Sequence, residues 1–291
     1  MDSGGMKGSF EAGYSAASLR IEKEMKTKEK IPCSVNVLGL STVHMKGRED
    51  AEEIRRLLSL CGIRVISMPG GGSNWEDIMD APSASLNIVV RDELGLSLAK
   101  QMERDFGTSY ISCGLPYGTD GTVAWLSEII EKLGAGELTR ASHEAAKLKE
   151  FLLRKGNNLE SLWGPLWFDA VLISAPPSEA LGIAEAIRSE WIDTARLCIH
   201  AQCETEKSTP AADAIRVVMK NEKEIAKDYE DWQGGLVLSS SHETHLLRRM
   251  RRSFTGFHIA LPSHERFIFP ISRSVVFAGQ GISTSSCGMR S

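Results

Sequence analysis

No two of the six cysteines, at positions 33, 61, 113, 198, 203 and 287, stand in a CxxC pair. In a reducing compartment such dispersal leaves free thiols or scattered ligands rather than a disulfide framework. No run approaches eighteen apolar residues, which excludes a spanning helix, and the N-terminus lacks the apolar core of a signal peptide. The chain therefore reads as cytoplasmic, with no membrane partner. An excess of basic residues is also missing: the net charge is −4, which argues against general binding to nucleic acid. The glycine-rich segment has neither GxGxxG nor GxxxxGK spacing, and no GxSxG elbow accompanies the serines. What remains is a 291-residue chain with 42% hydrophobic residues, enough for a substantial core and suited in length to two α/β domains.

The stretch from Asn87 to Thr122 is the most informative. Ile88, Val89 and Val90 form a short apolar run; Leu94, Leu98, Met102 and Phe106 recur every four residues, and Gly107 is placed to end that helix left-handed. This is a βαβ unit, and its polar residues gather at the strand ends, Arg91-Asp92 and Cys113 to Asp120, where an open parallel sheet binds ligands. Strands are predicted at Val35–Leu40, Arg64–Met68, Leu86–Val90 and Ser109–Ser112. Helices follow on the stripes Ala51, Ile54, Leu57, Leu58, Cys61 and Leu126, Ile129, Ile130, Leu133, closed by Gly62 and Gly134.

These elements predict a doubly wound α/β chain of two Rossmann-like domains with mainly parallel sheets. Residues 1–30 form an N-terminal arm with a helix near Tyr14 to Lys26, 31–136 the first domain, 137–282 the second, and 283–291 a disordered Ser-rich tail. A charged helix over Glu137–Lys155 crosses between the domains and is expected to break at Gly156-Asn157-Asn158. The second domain has strands at Phe168–Ser174, Ala195–His200, Leu236–Ser239 and Phe257–Leu261, with a short edge strand at Ile215–Met219. Ser178 is the expected N-cap of a helix bearing Leu181, Ala184 and Ile187, Asn221 with Glu224 opens a helix to Trp232, and another runs from His242 to Arg252.

Each candidate site has a plainer alternative. Gly70, Gly71, Gly72 and Ser73, between a strand and a helix, can cradle an anion or a cluster sulfide, or simply connect the two. Ser240, Ser241 and His242 stand at a similar turn, where hydroxyls, amides and an imidazole can meet a ligand, or Ser241 simply caps a helix. His264 and Arg266 can hold an anion past a strand end, or Arg266 pairs with Glu265. Arg248, Arg249, Arg251 and Arg252 offset a helix macrodipole. Cys61 and Cys198 lie on apolar patterns and belong to the core, whereas Cys113, beside Gly114 and Pro116, is the candidate reactive thiolate or metal ligand.

The order and spacing of several segments resemble the nitrogenase component 1 type oxidoreductases. The segments are Gly8 to Tyr14, Val35 to Leu40 followed by Gly47 to Asp50, Pro69 to Ser73, Asn87 to Thr122, Leu236 to Glu243, and Leu261 to Phe267. The likeness covers about Gly8 to Gly281 and corresponds to that family's second and third domains, the first having no counterpart. It implies a subunit that receives electrons from an iron protein-like reductase and binds a metal cluster or tetrapyrrole-like cofactor in an interdomain cleft lined by Arg91, Ser240 and Arg266. It also implies a homo- or hetero-oligomer with another component 1-like chain, which would supply or share an iron–sulfur cluster. Where the family has its cluster-binding cysteine and histidine, this chain has Arg91 and Leu261 or Pro262. That departure keeps a second reading open: a non-catalytic scaffold that binds a cofactor without metal ligands of its own.

Overall fold

A computed structural model of the chain describes residues 10–44, 46–163, 167–191, 193–201, 216–218 and 234–259, with Lys227, Tyr229, Glu230 and Trp232. The described residues divide into two compact units that part between Phe151 and Leu152. No helix among them is long and apolar enough to cross a membrane.

The first unit opens with α1 (Phe10–Glu22), β1 (Ile31–Leu38), α2 (Gly47–Leu60), β2 (Arg64–Ser67) and the short α3 (Trp75–Asp80). It continues with β3 (Ala84–Val89), α4 (Asp92–Phe106), β4 (Ser109–Ser112) and α5 (Thr119–Leu133). Its four strands are all parallel, in the order β2-β1-β3-β4. Strand alternation sends Val35 and Val37 of β1 and Leu86 and Ile88 of β3 into a core with Ile54, Leu57 and Leu58 of α2 and Leu126 and Ile129 of α5. Leu38 and Val89 face the other way, against Leu98, Ala99 and Met102 of α4, with Ile21 and Met25 at the edge. Each fully buried Val, Leu, Ile or Met among them stabilises the fold by about 1.5–3 kcal/mol. The same face carries a polar pair at its centre, where Asn36 Nδ2 donates to Asn87 Oδ1 and to the Ala81 carbonyl, both at 2.8 Å. Helices on both faces of a parallel sheet are the doubly wound arrangement that the βαβ patterning predicts.

α6 (Thr139–Trp163) runs across the division between the units without interruption at Gly156. The predicted break there is overturned: one internal glycine costs a helix only about 1 kcal/mol, and Leu and Glu residues on both sides favour its continuation.

The second unit holds β5 (Trp167–Ala175), α7 (Pro177–Ala186) continued by a wider π-type turn over Ile187–Trp191, β6 (Asp193–Ala201), β7 (Arg216–Val218), β8 (Leu236–Ser239), α8 (Ser241–Arg249) and β9 (Thr255–His258). The sheet is again parallel, in the order β7-β6-β5-β8-β9, so the short Arg216–Val218 strand is an edge strand as predicted. Leu172, Val237 and Leu247 pack with Tyr229 and Trp232 in its core.

Several predicted boundaries move, among them three at helices. α1 starts at Phe10 and stops at Glu22. α7 begins at Pro177, so Ser178 lies inside it; proline suits the first helical position because its missing N–H would have had no partner there. α8 ends at Arg249, soon before Arg251 turns left-handed at φ 54°. The Asn221–Glu224 helix start, the Ser-rich tail and strand residues beyond Ile259 fall outside the described residues.

Candidate functional site

In a parallel sheet with helices on both faces, the crevice for a ligand opens at the carboxyl ends of two neighbouring strands whose connections leave in opposite directions. The two strand orders put that switch point between β1 and β3 in one unit and between β5 and β8 in the other. Arg91 and Ser240, two candidates chosen from the sequence, stand just past the ends of β3 and β8.

At the first switch point the backbone is crowded. Gly39, leaving β1, has φ 93°, and a Cβ there would lie 2.7 Å from the Arg91 carbonyl oxygen and 2.8 Å from its nitrogen. Gly95 of α4 presses on the same strand exit, with its missing Cβ 2.8 Å from the Leu38 carbonyl carbon. Arg91 occupies the N-cap position of α4 and is 1% exposed; its guanidinium Nη1 donates to the Gly39 carbonyl at 3.3 Å. It therefore sits inside the crevice floor rather than lining an open wall. From there a buried cation acts on a ligand through its field.

The Pro69–Ser73 turn lies nearby. The Gly71 amide donates to the Met68 carbonyl at 2.8 Å, and Ser73 Oγ accepts from the Met68 amide at 2.8 Å. Asn74 caps α3, with a reciprocal box to Asp77. These bonds hold the turn in shape. Gly70 has φ 75°, and its missing side chain leaves room for the Leu40 carbonyl and the Tyr14 hydroxyl. Tyr14, which sequence reasoning did not single out, clasps this end of the unit from α1: its hydroxyl donates to the carbonyls of Leu40 at 2.8 Å and Pro69 at 3.1 Å. Burial pushes the Tyr14 hydroxyl up to about 12, although the nearby Arg91 charge pulls it down. The arginine and the glycine turn are thus brought to one place by Tyr14. No motif announces this, because the three segments meet only in the folded chain.

Cys113 follows β4, partly buried, with its amide donating to the Val89 carbonyl at 3.2 Å. Trp125 Nε1 donates to the next carbonyl, Gly114, at 3.0 Å. Burial first, then the Glu128 charge and more weakly that of Asp92, push the Cys113 thiol up to about 12, against a hydrogen bond from Trp125. At neutral pH it holds its proton, so the expectation of a reactive thiolate does not match these surroundings. A metal or cluster needs converging thiolates or imidazoles. Among the described residues no three His, Cys, Asp or Glu side chains converge in that way. The described residues by themselves therefore show no set of converging ligands for a metal or cluster. Cys61 is buried in the core as expected, whereas Cys198 is only partly buried, with Arg196 Nε 3.4 Å from its sulfur.

At the second switch point, Ser240 is the N-cap of α8, one residue before the expected Ser241. Its Oγ accepts from the His242 amide at 3.1 Å, and Glu243 Oε2 accepts from the Ser240 amide at 3.1 Å and also bonds the Ser240 hydroxyl. Ser174, at the end of β5, donates to Glu243 Oε1 at 3.5 Å. Ser241 is buried and His242 exposed. Beside Ser174 in register, His200 is buried and its ring stacks on Tyr229, with centroids 5.5 Å apart. The Ser240–Glu243 spacing is a capping box legible in sequence; Ser174 and His200 carry no local signal and are recruited by strand pairing. His264 and Arg266 lie outside the described residues.

Comparison with known proteins adds an independent line. The sequence model described as Nitrogenase component 1 type Oxidoreductase matches residues 1–272. One polypeptide of the light-independent protochlorophyllide reductase of Chlorobium phaeobacteroides (strain BS1) is 24% identical over 265 residues, covering 83% of this chain and 48% of its own length. The nitrogenase iron-molybdenum cofactor biosynthesis protein NifE of Clostridium pasteurianum is 33% identical over 160 residues, covering 54% of this chain and 32% of its own. A solved structure described as "Nitrogenase Cp1 at pH 6.5" superposes with a TM-score of 0.68 at 15% identity, covering 95% of this chain and 63% of that one. The chain thus spans about half the length, or less, of these curated relatives.

Proposed function

Because this chain belongs to the nitrogenase component 1 type oxidoreductase family, we propose that it serves as an oxidoreductase subunit of that type. In this reading it receives electrons from an iron protein-like reductase and binds a metal cluster or tetrapyrrole-like cofactor at the carboxyl ends of its strands. The observation that carries the proposal is the family match over residues 1–272, which runs through both parallel-sheet units. The relatives' names supply the two cofactor classes: one reduces protochlorophyllide, the other takes part in building an iron-molybdenum cofactor.

Gly70 to Ser73, Arg91, Ser240, Ser241 and His242, with His264 and Arg266, are the residues we assign to the cofactor. Arg91 contributes positive potential and His242 an exposed imidazole, while Ser240 and Ser241 shape the turn that presents it. In this reading an iron–sulfur cluster is supplied or shared by another component 1-like chain in a cytoplasmic oligomer. The second reading, a scaffold that carries a cofactor or its precursor without metal ligands of its own, is favoured by the dispersal of the six cysteines along the chain.

The test is anaerobic purification of the full chain, alone and with a co-expressed component 1-like partner and reductase, with iron per chain and the visible spectrum measured. Stoichiometric iron with charge-transfer absorption that bleaches on reduction through the reductase supports the oxidoreductase role. A metal-free chain that binds neither partner, yet takes up a cofactor precursor, leaves the scaffold as the function.

A further inference from the structure

The end of α1 remote from Tyr14 seats a buried acid. Glu22, the last residue of the helix, is 2% exposed and lies one turn beyond Ser18, which is also buried. This end rests on α4, where Ile21 and Met25 join Leu98, Ala99 and Met102. A lone carboxylate is costly to hold in such a place. Here the Glu22 carboxyl is hydrogen-bonded to the carboxyl of Asp105, in the last turn of α4. Asp105 is exposed, and its Oδ2 accepts from Gln101 Nε2 at 2.6 Å.

An ionised carboxyl only accepts, so a hydrogen bond between two carboxyls requires that one of them hold a proton. Glu22 is the better holder. Burial first, then the hydrogen bond and the negative charge of Asp105, push its carboxyl above the ordinary glutamate value of 4.5, against the charges of Lys23 on its own helix and Arg104 on α4. Asp105, Lys23 and Arg104 are the charged groups that face it. Because the folded state holds this proton more tightly than the unfolded chain, the stabilisation is complete below pH 4.5 and is lost as the pH rises through the folded value. Once the proton leaves, two negative charges face each other across the seat of α1. The exposed Asp105 gives that proton a way to solvent while α1 stays in place.

We propose that the Glu22–Asp105 pair is a proton-operated latch on α1, closed while the two carboxyls share a proton and loosened when it is lost. The same helix carries Tyr14, whose hydroxyl holds the Leu40 and Pro69 carbonyls at the strand ends. The latch therefore sets how firmly the turn that begins at Pro69 is clasped. The proposal goes beyond the cofactor reading and does not rest on it.

Hydrogen exchange of the full chain, followed by mass spectrometry on peptides spanning α1 from pH 4 to pH 8 and corrected for the intrinsic pH dependence of exchange, reads the latch directly. Protection of α1 should fall as the pH rises, by up to about tenfold per pH unit where one proton is released. Glu22→Gln keeps a donor toward Asp105 at every pH and should hold α1 at its low-pH protection throughout. Asp105→Asn, at an exposed position, removes the facing charge and should weaken the pH dependence, leaving only the part due to burial of Glu22. A flat wild-type profile, a fall that persists in Glu22→Gln, or one unchanged in Asp105→Asn would overturn the latch. Should Glu22→Gln fail to fold, the wild-type and Asp105→Asn profiles decide.

Discussion

Replacing Tyr14 with phenylalanine tests the clasp between α1 and the sheet, because the ring stays and only the hydroxyl goes. That hydroxyl donates to the Leu40 carbonyl at 2.8 Å and the Pro69 carbonyl at 3.1 Å, and Leu40 is fully buried. Its hydrogen bond is worth about 1 kcal/mol net, and stranding a buried carbonyl costs about 1–3 kcal/mol. We therefore expect Tyr14→Phe to lose about 2 kcal/mol near pH 8, roughly a 30-fold change in the ratio of folded to unfolded chain. The pH dependence follows from the same group. Its folded pKa of about 12 lies above the ordinary tyrosine value of 10.0, so the folded state binds the proton more tightly. The stability linked to Tyr14 is complete below pH 10 and is lost as the pH rises toward 12. At pH 11 the wild type should have given up about 1.4 kcal/mol that the phenylalanine variant never had, which narrows the gap between them. Urea titrations of both proteins at pH 8 and pH 11, followed by far-ultraviolet circular dichroism, measure the two differences while other titrating groups cancel. Equal midpoints at pH 8, or a gap that stays constant to pH 11, would refute the assignment.

Two shorter tests address the strand ends. Gly39→Ala places a Cβ 2.7 Å from the Arg91 carbonyl on a backbone at φ 93°, and should cost about 3 kcal/mol or more through steric conflict and the left-handed conformation; a wild-type urea midpoint would show that the crowding is relieved without cost. Cys113, with a thiol at about 12, should be alkylated by iodoacetamide at pH 8 far more slowly in the folded protein than in urea. Peptide mass spectrometry that finds Cys113 labelled as fast as in the unfolded chain would contradict its protonated state.

Legibility in sequence followed the range of the interactions concerned. β4 and β8 match their predicted spans, and Gly107 and Gly134 close their helices with left-handed φ, because a few adjacent residues settle each of these. The caps were half legible. The Ser239–Ser241 run predicts a serine cap for α8, but which serine serves depends on Glu243 reaching back to Ser240. The break expected at Gly156 failed for a local reason too, since the turn signal of Gly-Asn-Asn was weaker than the helix preference around it.

By itself, then, the sequence determined the alternation of strands and helices, the two parallel α/β units and the family, because hydrophobic periodicity and the order of short strand-end patterns are properties of neighbours along the chain. It also marked Arg91 and Ser240 as residues at strand ends. Only the tertiary structure decided what those ends are. Strand order made them switch points, buried Arg91 beneath Gly39, joined Ser174 and Ser240 through Glu243, and set Tyr14 across Leu40 and Pro69. Apart from the local Ser240–Glu243 cap, these contacts join residues 26 to 69 positions apart. Solvent exposure, hydrogen-bond partners and the state of a buried proton at such a place depend on what the rest of the chain packs around it.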